Sequence, residues 1–201
     1  MARLSLRMNT THLLYLHGFR SSPLSTKARM VAARMHASNP DVTWWCPQLP
    51  ASPAAAMQLL RGGVARWPRE SMAVMGSSLG GFYATCVAAE MDCRAVLLNP
   101  AVHPARDLTG YVGEQTSWHN PDEHFVFEPR YVDELRELQS CGSPDPAKVL
   151  AVIAKGDELL DWREMTARYP GSRIRLLEGS DHAISDFADH MDEVFGFLGL
   201  R

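Results

Sequence analysis

A serine at position 78 lies in a pattern typical of a nucleophile. The segment Gly76-Ser77-Ser78-Leu79-Gly80-Gly81 fits G-x-S-x-G. It follows an apolar run of strand length at residues 72–75 and opens a helical stretch at 79–91. A sharp strand-to-helix turn of this kind exposes the serine hydroxyl, and glycine leaves room on either side of it. We therefore predict that Ser78 is a nucleophile rather than part of a structural turn.

Two further side chains supply what a serine nucleophile needs. Because a serine hydroxyl reacts poorly at neutral pH, a base must take its proton and an acid must orient that base. Asp157 follows the apolar run 149–154, and His182 follows the run 174–177, so the order along the chain is serine, acid, histidine. Taken alone, His182 would be a surface histidine and Asp157 a turn or cap residue. Their joint placement at strand ends predicts that His182 is the base and Asp157 the acid.

A second acid, Asp161, competes with Asp157 for this role. It lies farther from the strand end and directly before the helical stretch that begins at Trp162, where aspartate is a good N-cap. We therefore favour Asp157 as the acid and expect Asp161 to cap the helix. Asp181, next to His182 in sequence, is expected to point elsewhere.

The first apolar run is followed by His17-Gly18-Phe19, which predicts an oxyanion hole. A loop at this point brings its backbone beside the nucleophile, so the amides of Phe19 and Leu79 could both donate to the developing negative charge. Each such donor stabilises the transition state of serine hydrolases by roughly 3–4 kcal/mol. We expect His17 to shape the loop rather than to act as a base.

The elements that must position these residues alternate between strand and helix. Apolar runs of strand length occur at residues 13–16, 43–46, 72–75, 95–98, 149–154 and 174–177, and helical stretches at 25–37, 54–65, 79–91, 162–169 and 184–198. This alternation predicts a doubly wound α/β fold with a mostly parallel sheet. Ligands of such sheets bind outside the carboxyl ends of the strands, where the candidate residues lie.

The alternation breaks between residues 103 and 146, which predicts a lid-like insertion. It contains a charged helical piece near 129–138 and Trp118, the aromatic residue that we select as a candidate for substrate contact. His119 and His124 could bind a metal ion, but they lack the helical i, i+4 spacing, and we interpret them as solvated histidines. No cofactor is expected either, since residues 76–81 lack the lysine of a phosphate-binding loop.

The composition narrows the class of protein. The 201 residues are 46% hydrophobic and 21% charged, with no linker-like tract, which predicts one globular domain over residues 1–201. A net charge of −3 with mixed signs gives no surface for nucleic acid. The apolar stretch at 13–16 is too short for a membrane span or a secretory signal. The four widely spaced cysteines are expected to be reduced, in a cytoplasmic protein. Met8 is an alternative start, which would make residues 1–7 an extension.

The chain resembles the YqiA-type family of small bacterial esterases within the α/β-hydrolase superfamily. The resemblance rests first on a block specific to that family, residues 14–28 in Leu14-Tyr15-Leu16-His17-Gly18-Phe19-x-Ser21-Ser22-Pro23-x-Ser25-x-Lys27-Ala28. More widely shared motifs are residues 76–84, Asn99-Pro100-Ala101, Gly156-Asp157-Glu158 and Asp181-His182. The resemblance implies hydrolysis of carboxylic esters with short acyl groups through Ser78, Asp157 and His182. Residues 113–127 depart from what the family leads us to expect.

Three functions remain open at this point. The first is an esterase that acts on a small-molecule acyl ester through an acyl-enzyme. The second is a thioesterase, because the same nucleophile, base and acid serve both bonds. The third is a catalytically silent domain that binds a ligand or a partner, against which the intact set of three dispersed residues argues.

Overall fold

The fold is built on a six-stranded sheet whose strands are all parallel. The computed structural model describes residues 9–201. The strands are β1 (His12–Leu16), β2 (Thr43–Trp45), β3 (Met72–Ser77), β4 (Arg94–Leu98), β7 (Val149–Ala154) and β8 (Arg173–Leu177). Their order in the sheet is β2-β1-β3-β4-β7-β8. Every residue of β3 and β7 is buried, which explains why these strands are nearly continuous apolar runs.

Helices cover both faces of this sheet. They are α1 (Thr26–Ser38), α2 (Pro53–Val64), α3 (Leu79–Met91), α4 (Pro104–Asp107), α5 (Pro129–Leu138), α6 (Trp162–Arg168) and α7 (Met191–Leu198). Alternate residues of β1 belong to two separate apolar clusters, with Leu14 and Leu16 in one and Leu13 and Tyr15 in the other. The first cluster packs against α2, α3, α5 and α6, and the second against α1 and α7. The predicted doubly wound single-domain α/β fold is confirmed.

The strand register brings the carboxyl ends of the central strands to one edge. Ser77 pairs with Leu98 across β3 and β4, and Leu98 pairs with Val152 across β4 and β7. Ala154 pairs with Leu177 across β7 and β8. The loops that carry Ser78, Asp157 and His182 therefore leave the sheet side by side.

The interruption of the alternation contains a small antiparallel hairpin. Its strands are β5 (Gly113–Thr116) and β6 (His124–Phe127), and α5 follows over the residues where a charged helix was predicted. The hairpin itself was not predicted, because neither strand shows clear alternation of apolar and polar residues.

The last helix begins later along the chain than predicted. Residues 184–198 were expected to be helical, but α7 starts only at Met191, after a 3₁₀ turn at Phe187–His190. Ile184 has a φ of 48°, which no right-handed helix accommodates. The prediction is therefore wrong for residues 184–190.

A disulfide corrects the expectation that all four cysteines are reduced. Cys86 of α3 is bonded to Cys141, just beyond α5, with Cα atoms 5.3 Å apart. Their sequence separation of 55 conceals this proximity in the sequence. Cys46 and Cys93 are free thiols, and burial raises the pKa of each to about 12.

The helices of residues 9–201 include none with both the length and the apolar character that a bilayer span requires. The suggested alternative start at Met8 lies outside the described residues.

Candidate active site

Ser78 lies on a strained turn between β3 and α3. Its φ is 56° and its ψ is −122°, a conformation that L-residues rarely adopt. The turn is held on both sides, since the Ser78 N–H donates to the Leu98 carbonyl at 3.0 Å and the Ala101 N–H donates to the Ser78 carbonyl at 3.0 Å. The flanking glycines are required by space: a Cβ at Gly76 would lie 2.1 Å from the Gly80 carbonyl oxygen. The predicted strand-to-helix turn is present, with Ser78 at its apex.

The structure brings Ser78, His182 and Asp157 together. His182 Nε2 lies 3.0 Å from Ser78 Oγ, and His182 Nδ1 lies 2.8 Å from Asp157 Oδ2. The Asp157 side chain is fully buried, whereas the His182 side chain is 17% exposed. The loops that carry Asp157 and His182 are in close contact, because a Cβ at Gly156 would lie 2.1 Å from the Ser180 carbonyl oxygen. The arrangement can pass a proton from the serine hydroxyl to the imidazole.

The two acids near this strand end have different partners. Asp157 Oδ1 accepts from the N–H groups of Leu159 and Leu160 at 2.9 and 2.8 Å, which fixes the carboxylate toward the histidine. Asp161 caps α6 by accepting from the Arg163 N–H at 2.9 Å. Asp181 turns away and accepts from the N–H and hydroxyl of Ser185. The structure thus places Asp157, and not Asp161, against the imidazole.

The loop after β1 lies directly against Ser78. A Cβ at Gly18 would be 3.2 Å from Ser78 Cβ, so a larger residue at this position would press on the Ser78 side chain. The N–H groups of Phe19 and Leu79, the two predicted oxyanion donors, have no acceptor among residues 9–201. Two unpartnered N–H groups beside a serine hydroxyl could bind an anionic oxygen.

His17 holds this loop through hydrogen bonds of its imidazole to the backbone. Its Nε2 accepts from the Leu49 N–H at 3.1 Å, and its Nδ1 lies 3.0 Å from the Gly18 carbonyl, to which it donates. Burial lowers the pKa of His17, which favours this neutral form. His17 is therefore fully engaged in holding the backbone, in the place that the sequence suggested.

A small pocket of about 230 Å³ lies beside the loop after β1 and the start of α3; it is lined by Gly18 and Leu79, which are neighbours of Ser78, but not by Ser78 itself. Its walls include Phe19 and Leu79 from the candidate oxyanion hole, Tyr83 from α3, and Glu123 and Phe125 from the insertion. A larger cavity of about 1220 Å³ is lined by Thr10, Met72 and Arg94 at the amino ends of the strands, at the opposite edge of the sheet from Ser78.

The hairpin insertion is docked on the loop after β1. The Phe19 ring makes edge contacts with Tyr111, Phe125 and Phe127 at centroid distances of 5.6, 5.9 and 5.2 Å. Arg20 Nε donates to the Thr116 carbonyl at 2.7 Å. The insertion therefore forms one wall of the pocket.

Trp118, the residue predicted to contact substrate, lies largely exposed beside Arg20. Its side chain is 66% exposed, and the Arg20 guanidinium stacks on its ring at 4.1 Å. The backbone N–H of Trp118 donates to the Arg20 carbonyl at 2.8 Å. Trp118 is not part of the pocket wall, where Phe125 and Tyr83 supply the aromatic surface.

The neighbouring histidines belong to the hairpin surface. His119 Nε2 lies 3.4 Å from the Ser21 hydroxyl, and His124 lies 3.6 Å from the Glu114 carboxylate. In residues 9–201 no three His, Cys, Asp or Glu side chains are grouped so that they could hold a metal ion.

Two polar residues near His182 received no role from the sequence. Glu158 Oε2 accepts from the His182 N–H at 2.9 Å. The buried Asn99 donates from its amide to the carbonyls of Asp181 and His182 at 3.0 and 3.1 Å. The signal for Asn99 was a polar residue directly after a buried strand, in the same relation to β4 as Ser78 is to β3.

The chain is similar in sequence to one protein family over most of its length. The sequence pattern of UPF0227, an uncharacterised protein family, matches residues 12–199. A UPF0227 protein of Yersinia pseudotuberculosis is 23% identical over 193 residues, which cover 94% of this chain and 99% of the relative.

Solved structures share the fold at low sequence identity. The α/β hydrolase domain-containing protein 10 from mouse has a TM-score of 0.70 at 16% identity, covering 94% of this chain and 91% of that one. Est1E from Butyrivibrio proteoclasticus, solved with ferulic acid, has a TM-score of 0.68 at 16% identity, covering 93% and 87%. The esterase Pf2001 of Pyrococcus furiosus has a TM-score of 0.65 at 17% identity, covering 96% and 82%.

Proposed function

Because the chain belongs to the UPF0227 family and has the α/β-hydrolase fold of known esterases, we propose that it is a serine hydrolase that cleaves short-acyl carboxylic esters. One observation carries the proposal. An unbroken chain of contacts runs from Ser78 Oγ to His182 Nε2 at 3.0 Å and from His182 Nδ1 to Asp157 Oδ2 at 2.8 Å. A structural serine in a turn would need neither partner.

The proposed reaction proceeds through an acyl-enzyme. Ser78 Oγ attacks the ester carbonyl carbon while His182 Nε2 takes the hydroxyl proton, and Asp157 stabilises the resulting imidazolium. The carbonyl oxygen becomes negatively charged and accepts from the N–H groups of Phe19 and Leu79. When the tetrahedral intermediate collapses, the bond to the alcohol oxygen breaks, and His182 returns the proton to that oxygen. A water molecule, deprotonated by His182, then releases the acid and restores Ser78.

The pocket supports a short acyl group. A volume of about 230 Å³ lies below the roughly 300–1,000 Å³ of pockets that hold drug-sized ligands. Tyr83 and Phe125 close its walls with rings that have little freedom to move aside, because Tyr83 is buried in α3 and Phe125 packs against Phe19. We expect hydrolysis to fall once the acyl chain outgrows this space.

The test combines covalent labelling with a matched pair of variants. A fluorophosphonate probe should label the wild-type protein, and Ser78→Ala should abolish labelling and lower the hydrolysis of p-nitrophenyl acetate by at least about 10³-fold. Ser77→Ala makes the same change one residue away, at a buried position without a catalytic role, and should retain activity. An unlabelled wild-type protein, or a fully active Ser78→Ala variant, would rule out the proposal.

An acyl series then defines the bond and the chain length. p-Nitrophenyl esters from acetyl to decanoyl should show the highest kcat/KM at the short end. Coenzyme A thioesters with the same acyl groups test the thioesterase alternative, which a higher kcat/KM for the thioesters would favour. Equal rates for acetyl and decanoyl esters would contradict the assignment of the pocket to the acyl group.

A further inference from the structure

The loop that carries His182 is strained at both ends. We call residues 180–184 the histidine loop. Ser180 has a φ of 65° and Ile184 a φ of 48°, so two residues with side chains occupy the left-handed region. For a β-branched residue such as Ile184 this conformation is an outlier. A backbone of this kind persists only where surrounding contacts hold it.

Asn99 supplies the buried contacts that hold this loop. Its side-chain amide nitrogen donates to the carbonyls of Asp181 and His182 at 3.0 and 3.1 Å. Its amide oxygen accepts from the Ala154 N–H at 2.8 Å, three residues before Asp157. Asn99 is 0% exposed, so water cannot replace these partners. Asparagine suits the place because it both donates and accepts, and because it tolerates its φ of 41° here.

The segment that contains Asn99 is also bonded to the nucleophile. Leu98 accepts from the Ser78 N–H, and Ala101 donates to the Ser78 carbonyl, each at 3.0 Å. The three residues after β4 therefore join the peptide of Ser78 to the histidine loop directly. A shift at Asn99 changes the distance between the two reacting side chains.

We propose that Asn99 is a positioning residue that sets the distance from His182 Nε2 to Ser78 Oγ by holding the carbonyls of Asp181 and His182. This inference rests on the proposed hydrolase function and adds a residue to it. Asn99 does not touch substrate or the reacting atoms. It acts through the backbone of His182.

Two weaker contacts act on the same loop from the surface. The exposed Glu158 accepts from the His182 N–H at 2.9 Å, and the half-buried Lys27 donates from Nζ to the Ala183 carbonyl. Each of these side chains makes a single bond to the loop, and that of the exposed Glu158 is open to competition by water, whereas Asn99 makes two bonds that are not. Loss of Asn99 should therefore affect the loop more than loss of either of the other two side chains.

The experiment compares Asn99 with a buried polar residue elsewhere. Asn99→Ala removes every side-chain contact. Asn99→Asp keeps the volume and the acceptor for Ala154 but loses the donor to the two loop carbonyls. Thr85→Val is the control, since Thr85 is 2% exposed and bonds to the Gly81 carbonyl and the Tyr169 hydroxyl, away from the histidine loop. The melting temperatures of the variants are compared first, so that a loss of stability can be separated from a loss of activity.

The kinetic result separates positioning from general stability. Both Asn99 variants should lower kcat for p-nitrophenyl acetate by about 10- to 100-fold while KM stays within about threefold, because misplaced reacting groups slow chemistry more than binding. The downfield proton resonance of His182 Nδ1–H should broaden or vanish in both. Thr85→Val should keep kcat and this resonance. An Asn99→Ala variant with kcat within about twofold of wild type, or a loss equal to that of Thr85→Val at equal melting temperature, would overturn the proposal.

Two further arms complete the test. If neither Asn99 variant folds, Asn99→Ser is measured in the same way, because its shorter hydroxyl keeps a polar group at the position but cannot reach both loop carbonyls: a fall in kcat of about threefold or more with unchanged KM supports the proposal, and an unchanged kcat overturns it. Failure of the hydrolase function itself is distinct, because the wild-type protein would then neither hydrolyse esters nor react with a fluorophosphonate.

Discussion

Replacement of Asp157 by asparagine should reverse the tautomer of His182. In the wild-type protein Asp157 Oδ1 accepts from the N–H groups of Leu159 and Leu160 and also lies 3.0 Å from His182 Nδ1, while Oδ2 lies nearer, 2.8 Å from the same nitrogen, and has no other partner among residues 9–201. In Asp157→Asn the amide oxygen must take the Oδ1 place, because an NH₂ group there would face two N–H donors. The NH₂ group then occupies the Oδ2 place and donates to Nδ1. The imidazole proton moves to Nε2 and points at Ser78, so His182 can no longer accept the hydroxyl proton.

The expected loss is large and specific to chemistry. A wrong tautomer in an otherwise intact triad lowers kcat by about 10⁴-fold, which corresponds to about 5 kcal/mol of transition-state stabilisation. Hydrolysis of p-nitrophenyl acetate gives kcat and KM, and fluorophosphonate labelling should slow in parallel with kcat. Because the amide keeps the volume and the two loop hydrogen bonds of the carboxylate, the melting temperature should change little.

Asp161→Ala is the matched control at the neighbouring acid. It removes the N-cap of α6 and should lower the free energy of unfolding by about 1 kcal/mol, or the melting temperature by about 2–4 °C, without a change in kcat. An Asp157→Asn variant that retains kcat within about tenfold of wild type would refute the tautomer argument. So would a large loss of activity in Asp161→Ala, since that would make Asp161 the acid.

Three other changes probe separate contacts. Gly156→Ala should lower kcat at least about tenfold because its Cβ would lie 2.1 Å from a carbonyl oxygen of the histidine loop. Gly179→Ala, which meets nothing within 4 Å, should not, and equal activities would contradict this packing. Reduction of the Cys86–Cys141 disulfide should lower the free energy of unfolding by up to about 4 kcal/mol for a separation of 55 residues, and identical urea curves with and without dithiothreitol would contradict the bond. Burial lowers the pKa of Lys27 from 10.5 to about 8. Between about pH 8 and pH 10.5 the unfolded chain therefore binds more protons than the folded chain, and the free energy of unfolding rises with pH. Urea titrations of Lys27→Met should lack this rise, and the same rise in the variant and the wild type would refute its assignment to Lys27.

The fold and the core of the site could be predicted because their signals are local. A buried parallel strand has to be an apolar run, so β7 appeared in the sequence at the bounds that the structure has. The turn at Ser78 requires glycine within two residues on each side, which makes it visible as a five-residue pattern. Asp157 and His182 follow from the sheet, because the carboxyl ends of parallel strands meet at one edge.

What the sequence did not reveal depends on contacts between distant segments. The bond between Cys86 and Cys141 depends on where the end of α5 packs, and the two cysteines have a sequence separation of 55. The late start of α7 follows from the φ of Ile184, which the histidine loop imposes and no helix propensity encodes. The role of Asn99 lies in carbonyls more than 80 residues away. None of these features leaves a periodic trace in the residues that form it.

Under the proposed function, the position of the insertion couples acyl-chain specificity to catalysis. Phe125 and Phe127 pack on the ring of Phe19, and Phe125 also lines the pocket beside the loop after β1. Phe19 carries one of the two N–H groups proposed to bind the oxyanion, so under the proposed function the hairpin that limits the acyl group also supports that donor. A hairpin that adapts to a larger acyl group by moving outward would also loosen Phe19. Acyl-chain preference in this protein should therefore appear in kcat as well as in KM, because the wall of the pocket and the support of the oxyanion hole are one structure.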